Sequence, residues 1–199
     1  MAQSKTALAR LALSNIHASG SVEDIDTEQS VEAKQAKLWY DVARKQVLAD
    51  FPWGFARKRL ILATHVDSAP ENEWAFRYQY PVDCVMARYI ENPAGLDADD
   101  VPFEVEGSDN DTDSIVTDLD EAILVFTRDV IDTGRFPAHF DIAMAYLLGH
   151  YLAGVITGKA KFKDRMIISY RNSLLIAATH DANQGRPRKP RDAEAIRER

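Results

Sequence analysis

The sequence has too little cysteine for covalent cross-linking. Its single cysteine, Cys84, cannot close a disulfide within the chain, which excludes a disulfide framework and a zinc ribbon. No uninterrupted apolar run reaches the roughly 18 residues that a membrane span needs, and residues 1–10 lack the basic-then-apolar order of a signal peptide. We therefore expect a soluble, unprocessed protein with no membrane contact, in a reducing compartment or in an assembly that lacks covalent cross-links.

Glycine and histidine are too sparse for the common nucleotide and metal motifs. The nine glycines are never closer than four residues, so neither GxGxxG nor GxxxxGK[ST] can be drawn. The five histidines include no pair at the spacing of metal ligands. The sequence thus predicts no cofactor and no metal site, and His150, alone in an apolar stretch, is interpreted as a core or interface histidine.

Acidic residues are concentrated in one segment. Asp and Glu outnumber Lys and Arg by 31 to 24, yet residues 91–121 hold 12 acidic side chains and no Lys or Arg, which leaves a balance of +5 elsewhere. Within this segment Asp109, Asp111 and Asp113 match the first ligands of a calcium loop that would end at Asp120, but Ser114 stands where such a loop needs glycine. We interpret the three aspartates as the solvated tip of a polar hairpin.

The last 15 residues form a basic segment, here called the basic arm (residues 185–199). Six basic and three acidic side chains follow Gly185, and two prolines interrupt regular structure. The sequence predicts an extended arm for docking on an anionic partner, with a disordered solubilising tail as the alternative. The basic residues are Arg186, Arg188, Lys189, Arg191, Arg197 and Arg199.

Apolar periodicity predicts four helices with a β region between the second and the third. Ser4 caps a first helix that ends at Gly20, Thr27 caps a second helix that ends before Pro52, and a third helix begins near Pro137. The predicted inward stripe of the second helix is Leu38, Trp39, Val42, Ala43 and Val47. The predicted fold class is α+β, a helical bundle of about four helices with a small antiparallel sheet or hairpin region inserted. The predicted segments are residues 1–54 (first helices), 55–133 (β region), 134–184 (last helices) and 185–199 (basic arm).

The third helix is apolar on every side from Ile142 to Ile156. Such a helix has to be covered by its own chain or by a neighbouring subunit. Ala145, Gly149 and Ala153 recur every four residues and form a ridge of small side chains, which predicts subunit contact or tight helix packing.

Catalysis has only weak candidates in this sequence. Asp118 with Asp120, or Glu104 with Glu106, offers a carboxylate pair of the kind that glycosidases use, although any acidic strand offers the same spacing. Cys84 has no identifiable base nearby in sequence and is interpreted as a small buried side chain. We therefore expect no enzyme; the alternatives are a tail-associated cell-wall hydrolase or a small nucleic-acid-binding protein that uses the basic arm.

Several stretches together resemble a known family. In order, they are SVED (residues 21–24), LWYDVARKQVLADFPWGFARKRLILA (38–63), YQYPVDCVMARYIE (78–91), VPFEVEG (101–107), ILVFTRDV (123–130) and FPAHFDIAMAYLLGHYLAGVITG (136–158). The most specific pieces are the helix that ends in PWGFA and the Tyr-Pro-x-Asp-Cys turn. The chain resembles, over about residues 5–180, the head-to-tail adaptor of short-tailed bacteriophages, often called tail tubular protein A. The resemblance does not extend into residues 186–199.

The resemblance implies a structural virion protein. Such adaptors form a ring, typically of 12 copies, between the portal protein and the tail nozzle protein, and DNA passes through the channel without specific binding. It implies a helical bundle beside a small antiparallel sheet. On this reading the protein is located in the virion, at the connector to the tail, after assembly in the host cytoplasm. The basic arm is then expected to dock into the portal, and the acidic tip with Asp109, Asp111 and Asp113 is expected to face the channel or the nozzle.

Overall fold

The computed structural model describes residues 4–70, 73–95, 100–107 and 113–184. It has four α-helices and two antiparallel sheets of three strands each, which confirms the predicted α+β class. The helices are α1 (Lys5–Asn15), α2 (Val31–Asp50), α3 (Ala138–Thr157) and α4 (Ala160–Gln184). The strands are β1 (Arg57–Ile61), β2 (Phe76–Gln79), β3 (Cys84–Ile90), β4 (Phe103–Gly107), β5 (Asp113–Thr117) and β6 (Ile123–Arg128).

Two predicted helix ends are wrong by several residues. The hydroxyl of Ser4 caps α1 by accepting from Ala7 N at 3.0 Å, as expected, but α1 stops at Asn15 rather than at Gly20. His17 has a φ of +53°, and the amide of Ala18 donates to Leu13 O at 3.1 Å, which is the Schellman closure normally made by glycine. A histidine in the left-handed position ended the helix before the first glycine.

The second helix also begins later than predicted. Its N-cap is Ser30, whose hydroxyl accepts from Ala33 N at 3.2 Å, and not Thr27. Thr27 instead donates to the Asp24 carboxylate at 2.7 Å within the preceding turn. Because Ser and Thr side chains satisfy turns as readily as helix ends, the earlier hydroxyl misled the prediction.

The four helices pack around α3. This helix contacts α1, α2 and α4, and its central residues are buried. By length and composition alone α3 is long and apolar enough to span a membrane, although His139, Asp141 and His150 interrupt it. Half of that stretch is buried inside the bundle, so its own chain provides part of the cover that its apolar character demands.

The β region is two sheets that share one core. The first has the order β1-β6-β3 and the second β2-β5-β4, all antiparallel, and the β4–β5 hairpin runs in register from Phe103 opposite Thr117 to Gly107 opposite Asp113. The shared core consists of Leu62, Tyr78, Ile90, Ile115, Ala122, Leu124 and Phe126. The sequence predicted a hairpin and a small antiparallel region, and the structure divides that region into two sheets.

Two arginines join the β region to the bundle. Arg88 on β3 donates to three carbonyls at the end of α2, those of Leu48, Ala49 and Phe51, at 2.8 to 3.0 Å. It thereby satisfies carbonyl groups that a helix end otherwise leaves without partners. Arg44 on α2, which is 2% exposed, forms an ion pair with Asp129, directly after β6.

Candidate interaction surfaces

The predicted ridge of small residues lies inside the chain. Ala145, Gly149 and Ala153 are all buried. A Cβ atom at Gly149 would lie 3.3 Å from the carbonyl oxygen of Ala12 and 3.4 Å from Met166 Sδ. Gly149 therefore lies where α3 closely approaches α1 and α4, and Ala145 and Ala153 are buried on the same helix.

Most residues of the two predicted charged sites lie outside the described residues. Asp109 and Asp111 are among them, as are all six basic residues of the basic arm: Arg186, Arg188, Lys189, Arg191, Arg197 and Arg199. Asp113 is described, and it lies exposed at the start of β5, opposite Gly107. Within the described ranges no group of three or more His, Cys, Asp or Glu side chains is placed to hold a metal ion.

The carboxylate pairs are not arranged alike. Asp118 and Asp120 lie in the turn between β5 and β6, and Asp118 accepts from the amide of Ala75 at 3.0 Å. Glu104 and Glu106 do lie two apart on β4, but Glu106 forms an ion pair with Arg77 at 3.1 Å. Each pair therefore has one member engaged in a structural contact.

Cys84 is held as a thiol. Burial raises the pKa of the Cys84 thiol. The thiol also forms a hydrogen bond to the Tyr80 hydroxyl, with 3.2 Å between Sγ and the oxygen, and this bond lowers the pKa by less than burial raises it. Burial raises the pKa of the Tyr80 hydroxyl as well. A protonated thiol is a poor nucleophile, so this site offers little for covalent chemistry.

The motif residues of the resemblance occupy structural turns. Pro52 and the 3₁₀ turn Gly54–Ala56 carry Trp53 into the bundle core, where its indole donates to Val47 O at 2.7 Å and its ring meets Phe140 edge-on at 5.2 Å. The Tyr-Pro-x-Asp-Cys segment forms a turn that leads into β3. The Cys84 amide donates a hydrogen bond to Pro81 O across this turn at 2.9 Å.

The outer side of α2 carries large apolar side chains. Leu38 is 62% exposed and Val42 47% exposed, so these two members of the predicted inward stripe face outward. Trp39 is half-buried beside them and stacks on Tyr151 of α3 at 4.6 Å between ring centroids. Val155 lies one helical turn further along α3 and is 58% exposed. We call these five residues the α2–α3 patch.

A second apolar surface lies on α4. Ile168, Leu175 and Ile176 are 55–70% exposed, and the first two stand seven residues apart on one side of the helix. Exposed cationic side chains accompany them and, within the described residues, form no ion pair. These cations are Lys161, Arg165 and Arg171. We call the three apolar residues with these cations the α4 face.

A small cleft opens where α3 begins beside the end of α4. It measures about 80 Å³ and is lined by Trp53, Gly54, Phe55, Pro137, His139, Ala177 and His180. The rings of His139 and His180 stack at 4.0 Å between centroids. The cleft is too small to enclose a drug-sized ligand, for which sites of about 300 Å³ or more are usual.

His150 has a structural partner. Its Nδ1 lies 2.9 Å from the carbonyl oxygen of Lys163 on α4, and its ring meets Tyr151 edge-on.

No family model matches the chain, and no curated protein matches it.

Proposed function

We propose that the protein is a head-to-tail adaptor of a short-tailed phage, a non-enzymatic ring that joins the portal to the tail nozzle and continues the DNA channel. One observation carries the proposal: the α2–α3 patch and the α4 face are two separate, exposed apolar surfaces on one small chain. Continuous apolar patches of this kind mark protein contacts. The fold, a bundle with its β region between the second and third helices, agrees with what the resemblance implies.

The arrangement of the two surfaces favours contact between copies. Both α2 and α4 pack on α3, and each of them leaves large apolar side chains exposed on the outside of the bundle. A patch on one copy that binds a different face on the next copy is a heterologous contact, and such contacts close into rings when the rotation is suitable. Burying a large apolar side chain contributes about 1.5–3 kcal/mol, so the half-exposed residues of each surface supply several kcal/mol per contact.

The acidic segment suits a channel through which DNA moves. Glu104, Asp118 and Glu121 are exposed in the β region. Negative charge near a channel wall repels phosphates and so keeps the genome from adhering. In a ring of 12 copies this charge is repeated around the channel, while the basic arm docks on the portal, where arginine favours carboxylate partners.

The test is the mass of the protein alone and mixed with the portal, by native mass spectrometry. We expect a ring bound to the portal, and we expect Leu38→Asp or Leu175→Asp to abolish the ring. The matched control is Val66→Asp, at a residue that is 87% exposed but lies outside both surfaces, and it should assemble normally. Deleting residues 185–199 should leave a folded protein that no longer joins the portal.

Two results would overturn the proposal. One is a monomer with and without the portal; the other is carboxylate-dependent clearing of a cell-wall zymogram by the purified protein, which the hydrolase alternative requires.

A further inference from the structure

The bundle contains two buried polar groups without a partner. The Tyr40 hydroxyl on α2 and Oδ1 of Asp141 on α3 are the side-chain atoms of this kind in the described part of the chain. Tyr40 is 3% exposed and Asp141 is 8% exposed. Buried polar groups in native proteins are almost always hydrogen-bonded, so an unpaired carboxylate oxygen at this depth needs a physical account.

Within the described residues no ion pair neutralises Asp141, and burial is the cause that raises its pKa. Arg44 of α2 acts on Tyr40, but its donors are already committed: Nε to Asp41 at 3.2 Å, and Nη1 to Asp129 and to Val130 O at 3.0 Å. The other charged groups around Tyr40 are Asp26, before α2, and Lys5 of α1, whose ammonium lies 5.7 Å from the ring centroid. Burial raises the pKa of the Tyr40 hydroxyl, and the carboxylates of Asp41, Asp141 and Asp26 raise it further, against the lowering effect of Arg44.

We propose that folding of the bundle loads a proton onto Asp141, which makes the packing of α3 against α2 a proton-linked contact that mild acid strengthens. A neutral carboxyl removes the cost of burying an unpaired charge. The position of Asp141 in the first turn of α3 favours the charged form through the helix dipole, but the effect of burial is larger, because the pKa is raised and not lowered. This inference concerns the single chain and does not depend on the proposed function.

The sign of the pH effect follows from proton binding. Burial raises the pKa of Asp141 to about 6 from an ordinary value of 3.8. Between these values the folded state binds more protons than the unfolded state, so stability falls as pH rises through the window. From these two pKa values, the contribution of Asp141 to the folding equilibrium constant should fall about tenfold between pH 5 and pH 8.

The experiment compares the pH dependence of unfolding for the natural chain and for Asp141→Asn, at protein concentrations that keep the chain monomeric. Other carboxylates titrate in both proteins and cancel in the difference. We expect the stability of Asp141→Asn relative to the natural chain to rise about tenfold in equilibrium constant from pH 5 to pH 8. The matched control is Asp164→Asn on the exposed side of α4, which should follow the natural chain at every pH.

A direct titration keeps the inference testable if the variant does not fold. Carbon-detected NMR of the side-chain carboxyl groups in the natural protein should place the Asp141 midpoint near pH 6. A midpoint at or below pH 4, or a difference between the natural chain and Asp141→Asn that does not change with pH, would overturn the proposal.

Discussion

Two glycines of α3 allow a matched test of its close packing. Gly149 and Gly154 lie on the same helix, but a Cβ at Gly149 would come within 3.3 Å of the Ala12 carbonyl oxygen, whereas a Cβ at Gly154 would meet nothing within 4 Å. Replacing glycine by alanine in a helix stabilises it by about 1 kcal/mol when there is space for the methyl group. The Ala12 oxygen belongs to the backbone of α1 and cannot rotate away, so Gly149→Ala forces the two helices apart.

The expected values follow from these two contributions. Gly154→Ala should raise the free energy of unfolding by about 0.5–1 kcal/mol. At Gly149 the same gain is offset by overpacking, which costs about 1–3 kcal/mol, so the net change should lie between about zero and 2 kcal/mol of destabilisation. Urea unfolding followed by far-ultraviolet circular dichroism, with unchanged m-values, measures both. If Gly149→Ala stabilises the protein as much as Gly154→Ala, the reasoning about close contact between α1 and α3 is wrong.

Two further matched pairs test the polar contacts of the bundle in the same assay. Arg44→Ala leaves the partly buried Asp129 carboxylate unpaired and should lower the free energy of unfolding by about 3–5 kcal/mol. Lys58→Ala removes a half-exposed ion pair and should lower it by less than about 1 kcal/mol. Similar losses for the two variants would contradict the role assigned to burial. Tyr170→Phe removes a hydroxyl that donates to the Asp50 carboxylate at 2.6 Å and should cost about 1–2 kcal/mol. Tyr40→Phe removes an unpartnered hydroxyl and should be neutral or stabilising; a loss equal to that of Tyr170→Phe would show that Tyr40 has a partner.

The helices and strands were predictable in kind but not at their ends. Local apolar periodicity identified all four helices, because that period is written in residues close together in sequence. The ends depend on which of several similar side chains makes the cap. Ser30 rather than Thr27 caps α2, and His17 rather than Gly20 closes α1, and the apolar period does not distinguish these neighbouring candidates.

The division of the β region into two sheets was beyond the sequence for a different reason. The hairpin of β4 and β5 is a local pairing and was predicted. The pairing of β6 with both β1 and β3 joins strands separated by long stretches of chain, and neither hydrophobic alternation nor turn residues identify such partners. Arg88 shows the same limit, since its three carbonyl partners on the end of α2 lie about 40 residues earlier in the chain.

The outer surface of α2 is the part of the candidate site that sequence reasoning misplaced, and the reason bears on function. A helix is expected to bury its largest apolar residues, so Leu38 and Val42 were assigned to the core. The buried side of α2 instead consists of three alanines, one tyrosine, one arginine and two aliphatic residues near the end of the helix: Ala33, Ala36, Tyr40, Ala43, Arg44, Val47 and Leu48. Leu38 and Val42 are left on the outside. In a monomer this distribution leaves apolar surface in contact with water, whereas in an assembly of copies the same residues supply the contact. The inversion on α2, rather than the apolar character of α3, is therefore the feature that most favours a subunit of a larger structure.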